Sequence, residues 1–212
     1  MENLKNILFD FGGVLYDLDY HLTIDAFAAL GYTGFEDAFS QYKANRFFED
    51  FETGRIDEST FYSTLQAIPA VPPSIPQIKK AWNAMMLGFR MNSLAFLKTL
   101  SSKYNLYLLS NTNIIHKRRF DDELFYSTGL SSMDVLFEKA YYSHLIGKRK
   151  PHQDVFKYVL GDAEILAEET LFVEDTLPNL ESAMQLGFKG LLLKPKELIE
   201  DKLDYLISSK SM

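Results

Sequence analysis

The chain has no cysteine. That excludes disulfides, thiolate metal sites and a cysteine nucleophile. No apolar run approaches the roughly 20 residues that span a bilayer, and the opening Met1-Glu-Asn-Leu-Lys-Asn lacks a signal-peptide layout. The expected setting is the cytoplasm, away from any membrane. Positive charge is also short, with 22 Lys and Arg against 29 Asp and Glu, a net −7. That balance argues against a nucleic-acid surface. The basic cluster Lys148-Arg149-Lys150 is brief, and taken alone it reads as a solvated loop. There is no internal repeat and no low-complexity tail. His116, His144 and His152 show no metal-ligand spacing, and His21 reads as structural or solvent-facing. What remains is a chain of 212 residues, 47% apolar. That is enough for one good-sized core and a small second module.

The most informative stretch is Asp10-Phe11-Gly12-Gly13-Val14, at the end of the mostly apolar run 4–9. A hydrophobic strand there delivers a carboxylate into a loop with two glycines. Gly12 and Gly13 leave bare backbone N–H groups beside it, suited to an anion. A turn-capping aspartate is the plainer alternative. Three later segments fit the same site. They are Ser110-Asn111-Thr112-Asn113 after an apolar run, Lys148-Arg149-Lys150-Pro151, and Glu174-Asp175 after another apolar run. An aspartate, a serine, a lysine and an acidic pair point to metal-assisted phosphoryl transfer through an aspartyl intermediate.

Apolar blocks predict strands at 4–9, 106–109, 139–142, 171–173 and 190–193. Helical patterns lie between them, at 93–100, 113–120, 153–160 stopping at Gly161, 179–186 ending at Gly187, and 197–207. Strands alternating with helices predict a parallel sheet with right-handed crossovers. In such sheets ligands bind beyond the carboxyl ends of the strands. The stretch 16–91 differs. It shows no convincing strand and reads as helices at 22–30, 36–44, 58–67 and 75–89, with a Pro-rich break from Pro69 to Pro76. An all-helical insert after the first strand is expected to cap the site. Phe47, Phe48, Phe51, Phe61, Tyr62 and Trp82 read as its core.

Together the four motifs, in this order, resemble the haloacid dehalogenase (HAD) superfamily over nearly the whole chain. Within it the chain looks most like the branch of small bacterial sugar-phosphate phosphatases that includes α-glucose-1-phosphate phosphatases. Glycine two residues after the aspartate, Ser-Asn-Thr-Asn, Arg-Lys-Pro and Glu52-Thr53-Gly54-Arg55-Ile56-Asp57 carry that likeness. The resemblance implies an α/β fold. Residues 1–15 and 92–212 would form a Rossmann-like parallel-sheet core, and 16–91 a small all-helical cap inserted after the first strand.

It also implies roles. Asp10 would be the nucleophile. Asp10, the Gly12 carbonyl and Asp175 would hold Mg²⁺, with Glu174 acting directly or through water. The Ser110 hydroxyl and the Asn111 N–H would bind the phosphoryl oxygens, although Ser110 also reads as a helix N-cap. Lys150, rather than Lys148, would neutralise phosphate and Asp10. Asn179 would orient the loop or Lys150. Glu52 and Arg55 would reach the substrate from the cap, the alternative being a plain helix connector. The chain departs from the family at Gly12, where most HAD phosphatases carry an aspartate that protonates the leaving oxygen. Either the leaving group needs less help, or Asp17 or Asp19 reaches in, or turnover is slow or lost. The expected function is a Mg²⁺-dependent phosphatase of a small phosphorylated metabolite such as a sugar phosphate, working as a monomer or weak homodimer. A 2-haloacid dehalogenase and a non-catalytic phosphate-binding relic are the alternatives; the acidic pair counts against the first.

Overall fold

The computed structural model describes residues 3–40 and 43–208. It opens with β1 (Asn6–Phe9), buried at every position, as a central strand of a parallel sheet must be. β2 (Tyr16–Leu18) follows, then α1 (Tyr20–Ala29), α2 (Phe35–Ala38), the short strands β3 (Phe39–Ser40) and β4 (Lys43–Ala44), α3 (Arg46–Glu52), α4 (Glu58–Gln66) and α5 (Ile75–Trp82). β5 (Met86–Phe89) returns the chain to α6 (Met91–Leu100), β6 (Asn105–Ser110) and α7 (Ile114–Thr128). β7 (Lys139–Tyr142), α8 (Ser143–Ile146), α9 (Gln153–Asp162), β8 (Thr170–Glu174), α10 (Leu177–Met184), β9 (Lys189–Leu192) and α11 (Ile199–Ser208) complete it.

The main sheet has the order β7-β6-β1-β8-β9, with every pairing parallel. Alternate residues serve its two faces. Ile7, Phe9, Leu106, Leu108, Leu171 and Val173 pack with α6, α7 and α11. Leu8, Tyr107, Leu109 and Phe172 pack with α9 and α10. The core is therefore a Rossmann-like α/β sandwich. β1 lies between β6 and β8, so the chain winds away from it in both directions. That creates a crevice at the carboxyl ends of these three strands.

The predicted core strands all form, with ends shifted by one or two residues. Helix α9 runs through Gly161 instead of stopping there. The segment 16–91 departs further from expectation. Among the described residues it contains four short strands where none was expected. β2 and β5 pair antiparallel at its base, Tyr16 opposite Phe89 and Asp17 opposite Gly88. Gly88 has φ 144, a conformation that side chains resist. The helix expected over 75–89 therefore ends at Trp82, and a 3-10 turn (Asn83–Met85) leads into β5. The helix expected over 36–44 is only α2, since Phe39 turns extended at its end; positions 41 and 42 of that expectation lie outside the described residues. The Phe39 ring packs 4.7 Å from Trp82 and 5.0 Å from Phe48, and such burial outweighs helix propensity. Helix α3 was not expected. Asn45 starts it by accepting from the Phe47 and Phe48 N–H groups.

Candidate active site

β1 ends at Phe9, so Asp10 is the first residue beyond the sheet. Its N–H still bonds to the Val173 carbonyl of β8 at 2.9 Å. Ser110 is the last residue of β6 and Glu174 the last of β8. Three neighbouring strands thus deliver three functional groups to one crevice. Lys150 joins them from the loop after α8. Its ammonium lies 2.5 Å from Asp10 Oδ1 and 2.7 Å from Glu174 Oε2, and its side chain is 1% exposed. A two-point clamp fixes that loop: Asn111 Nδ2 donates to the Lys150 carbonyl and the Lys150 N–H donates to Asn111 Oδ1, both at 2.9 Å. Lys148 instead pairs with Asp154 near the surface.

Glu174 accepts on both oxygens. Oε2 takes Lys150, and Oε1 takes the N–H groups of Asp175 and Thr176. Asp175 points back toward the glycine loop, and Thr176 Oγ1 donates to its Oδ1 at 2.9 Å. Gly13 sits at φ +70, and a Cβ there would collide with the Asp175 carboxylate. Gly13 is glycine for both reasons.

Asp10, Glu174 and Asp175 each offer a carboxylate oxygen, all within 4.8 Å of one another. One lysine among three carboxylates leaves negative charge in excess. Burial, and after it the Glu174 carboxylate, raise the Asp10 carboxyl above its ordinary range against the pull of Lys150. Burial does the same to Glu174 and to Asp175. Burial opposes the Lys150 charge, but the Asp10 and Glu174 carboxylates outweigh it and raise its pKa. Such a cluster can hold a divalent cation with oxygen ligands.

These groups line a cavity of about 140 Å³. The core supplies Asp10, Gly12, Gly13, Ser110, Asn111 and Lys150; Tyr20, Phe39 and Glu52 line it from the cap. Asn179 also borders it. Glu52 lies at the end of α3 and is buried. Arg149 spans the gap, with Nη1 2.7 Å from Glu49 and Nη2 3.2 Å from Glu52. Gly54, at φ +68, brings the backbone after α3 against the His144 carbonyl, where a Cβ would clash.

Several expectations differ from this arrangement. Arg55 does not border the cavity; it pairs with Asp50 at 2.9 Å and its side chain is 63% exposed. A short turn lets Glu52 face inward while Arg55, three residues on, faces solvent. Asp17 pairs with Arg90 at 2.7 Å, and Asp19 caps α1 through the His21 N–H. Neither lines the cavity. The N-cap of α7 is Asn113, not Ser110. Tyr20, Arg149 and His116 line the cavity although none of them was expected among the site residues. Only Arg149 had a sequence signal, its place beside Lys150. His116 stacks on Trp82 at a 4.9 Å centroid distance, its Nδ1 3.1 Å from Asn113 Nδ2 and its Nε2 3.0 Å from the Trp82 carbonyl.

A sequence profile described as haloacid dehalogenase-like hydrolase matches residues 7–192. The chain belongs to this family. D-ribitol-5-phosphate phosphatase of Bacteroides thetaiotaomicron is 30% identical over 186 residues, 88% of this chain and 90% of that protein. Sesquiterpene phosphatase astK of Aspergillus oryzae is 28% identical over 194 residues, 89% of each chain. Among solved structures, a HAD family enzyme from Bacteroides thetaiotaomicron is similar. As an aspartate-to-alanine mutant in complex with magnesium and inorganic phosphate, it gives a TM-score of 0.86 at 32% identity, covering 92% of this chain and 96% of that one. L-2-haloacid dehalogenase from Xanthobacter autotrophicus, at 18% identity and a TM-score of 0.57 over 98% of this chain and 84% of that one, shares the fold. Among the described residues no helix is long and apolar enough to cross a membrane.

Proposed function

We propose that this protein is a Mg²⁺-dependent phosphatase that hydrolyses a small phosphorylated metabolite through an aspartyl-phosphate. The observation that carries this reading is the convergence of Asp10, Glu174 and Asp175 on one point beside Lys150. The donor set is all oxygen and in negative excess, which fits Mg²⁺. The Asp10 and Asp175 carboxylates and the Gly12 carbonyl would hold the ion. Glu174, with both oxygens already accepting, would reach it through water. When bound, the ion offsets the repulsion between phosphate and carboxylate and polarises the phosphoryl oxygens.

The chain's own groups do the rest. Asp10 attacks phosphorus in line with the leaving oxygen. Ser110 and the Asn111 N–H donate to the equatorial oxygens. Lys150 neutralises charge and keeps the Asp10 carboxylate aimed. Residues 1–15 and 92–212 act as the core domain, and 16–91 as the cap that closes the site. A cavity of about 140 Å³ lies well below the roughly 300–1,000 Å³ of drug-sized pockets. It suits a phosphoryl group with a short polar leaving group, such as a sugar or sugar-alcohol phosphate. The ribitol-phosphate relative supports that class.

The test is phosphate release from a panel of sugar and polyol phosphates, with Mg²⁺ or with EDTA, using Asp10→Asn as the blank. Release that needs Mg²⁺ and Asp10 is expected. Undiminished turnover by Asp10→Asn would end the covalent mechanism, and halide release from a 2-haloacid in EDTA would restore the dehalogenase reading.

A further inference from the structure

An alkoxide is a poor leaving group, so a phosphatase of alkyl phosphates needs a proton donor at the leaving oxygen. Position 12 is glycine and supplies none. A Cβ on Gly12 would sit 2.5 Å from Leu18 Cδ1, so a side chain there would need Leu18 to turn aside. In-line attack by Asp10 puts the leaving oxygen on the far side of phosphorus, away from the core strands and toward the cap. The donor must therefore come from the groups that line the cavity there.

They are few. Asp175 and Lys150 belong to the charge cluster around Asp10. His116 has both ring nitrogens in contact with Asn113 and Trp82, and burial holds its pKa at about 4. It is neutral and engaged. Phe39, Met85 and Met86 carry no exchangeable proton. Two cap groups remain, Tyr20 and Glu52. Burial, and after it the Glu52 carboxylate, push the Tyr20 phenol far up, so it is too weak an acid to give its proton away. Glu52 is buried, its Oε2 makes no hydrogen bond among the described residues, and its partner is the Arg149 guanidinium at 3.2 Å. Burial raises its pKa against the pull of Arg149, and a carboxyl can both give and take a proton.

We propose that Glu52, carried by cap helix α3, is the acid–base catalyst of this site and takes the role that Gly12 cannot fill. The assignment rests on the phosphatase reading above. In the first half-reaction the Asp10 oxygen bonds to phosphorus as the bond to the leaving oxygen breaks. That oxygen keeps the electron pair and takes the Glu52 proton. In the second, water attacks phosphorus and gives its proton to the Glu52 carboxylate. The bond to Asp10 breaks, phosphate departs, and Glu52 is protonated again. Because Glu52 comes from the cap, the catalytic set is complete only when cap and core are docked, and the Arg149 contacts to Glu49 and Glu52 hold them so.

The experiment compares leaving groups. Wild type, Glu52→Gln and Glu52→Asp are assayed with Mg²⁺ on 4-nitrophenyl phosphate, whose phenolate departs unaided, and on the sugar or polyol phosphate that wild type hydrolyses fastest. The readout is kcat/KM, which reports phosphoryl transfer to Asp10. Glu52→Gln is expected to lose at least about 100-fold on the alkyl phosphate and under about tenfold on the aryl one. Glu52→Asp, which keeps a titratable carboxyl beside Arg149, should show the same split to a smaller degree. An equal loss on both substrates would make Glu52 merely a tie between cap and core, and an unchanged alkyl rate would remove it altogether. If wild type hydrolyses neither compound, the phosphatase reading itself fails. If wild type hydrolyses both and the split is missing, only the role of Glu52 falls.

Discussion

The two walls of the cavity are built on opposite plans. The core wall is polar and locked. Asp10, Glu174 and Lys150 are buried, with Lys150 donating to both carboxylates, and Asn111 and Gly13 fix the loops that carry Lys150 and face Asp175. The cap wall, which presents Tyr20, Phe39, Glu52, Met85 and Met86 to the cavity, is backed by an aromatic core. Phe27 and Phe35 stack at 4.1 Å, Phe51 and Phe61 at 4.0 Å, and Phe48 and Trp82 at 5.4 Å. The cap aromatics belong to the same apolar cluster as one face of the sheet. One wall holds charge in place and the other holds shape. The difference teaches that the chemistry is invested in short chain segments at strand ends, whereas the cap delivers its few polar groups through side-chain packing.

Breaking the core wall should stop chemistry and leave the fold. Asp10→Asn removes the attacking oxygen, and kcat is expected to fall by about 10⁴-fold or more while the far-ultraviolet dichroism stays native. A residual rate within tenfold of wild type would show that some other group attacks phosphorus. Breaking the cap wall should do the reverse. Phe61 is fully buried, stacks on Phe51 and lies 5.1 Å from Trp82. Phe61→Ala is expected to cost about 3–5 kcal/mol in urea unfolding. A loss below 1 kcal/mol would mean that the cap tolerates the void and is not packed as described.

The seam between the walls should be acid-sensitive. Burial holds His116 at about 4, and burial with the Lys117 charge nearby holds His144 at about 4. An unfolded histidine titrates near 6.5. Between those values the unfolded chain takes up a proton that the folded chain refuses. Stability from each neutral histidine is therefore complete above about pH 6.5 and is lost as pH falls toward 4. His116→Gln should drop less between pH 7 and pH 4.5 than wild type does, by about 2 kcal/mol. Equal drops would place the acid sensitivity elsewhere.

The contrast also explains what could be read in advance. The three central strands are mostly apolar runs that close on, or are followed by, a polar residue, so Asp10, Ser110 and Glu174 announce themselves as candidates for one site. Lys150 is marked by its place before Pro151, which matches the family, and its ammonium meets Asp10. β2 and β5 were invisible because each is three or four residues long and pairs across some 70 residues of chain. A pattern that local carries no trace of a partner so distant. Tyr20 sits at the start of α1 in an ordinary apolar helical stretch. Nothing near it in sequence reveals that α1 would carry it to the cavity.

Arg55 tests the limit of motif reading. It shares the four-residue stretch Glu52-Thr53-Gly54-Arg55 with Glu52, and spacing alone gives the two equal standing. The fold separates them. The chain turns at Gly54, the Arg55 N–H bonds to the Asp50 carbonyl at 2.7 Å, and its guanidinium pairs with the Asp50 side chain in solvent. Exposed pairs of this kind contribute about 0.2–1 kcal/mol. Arg55→Ala should therefore change stability by less than about 1 kcal/mol and leave kcat/KM on both alkyl and aryl phosphates within about threefold of wild type. A large rise in KM would mean that Arg55 swings inward when substrate binds, and the cap would then contribute charge as well as shape.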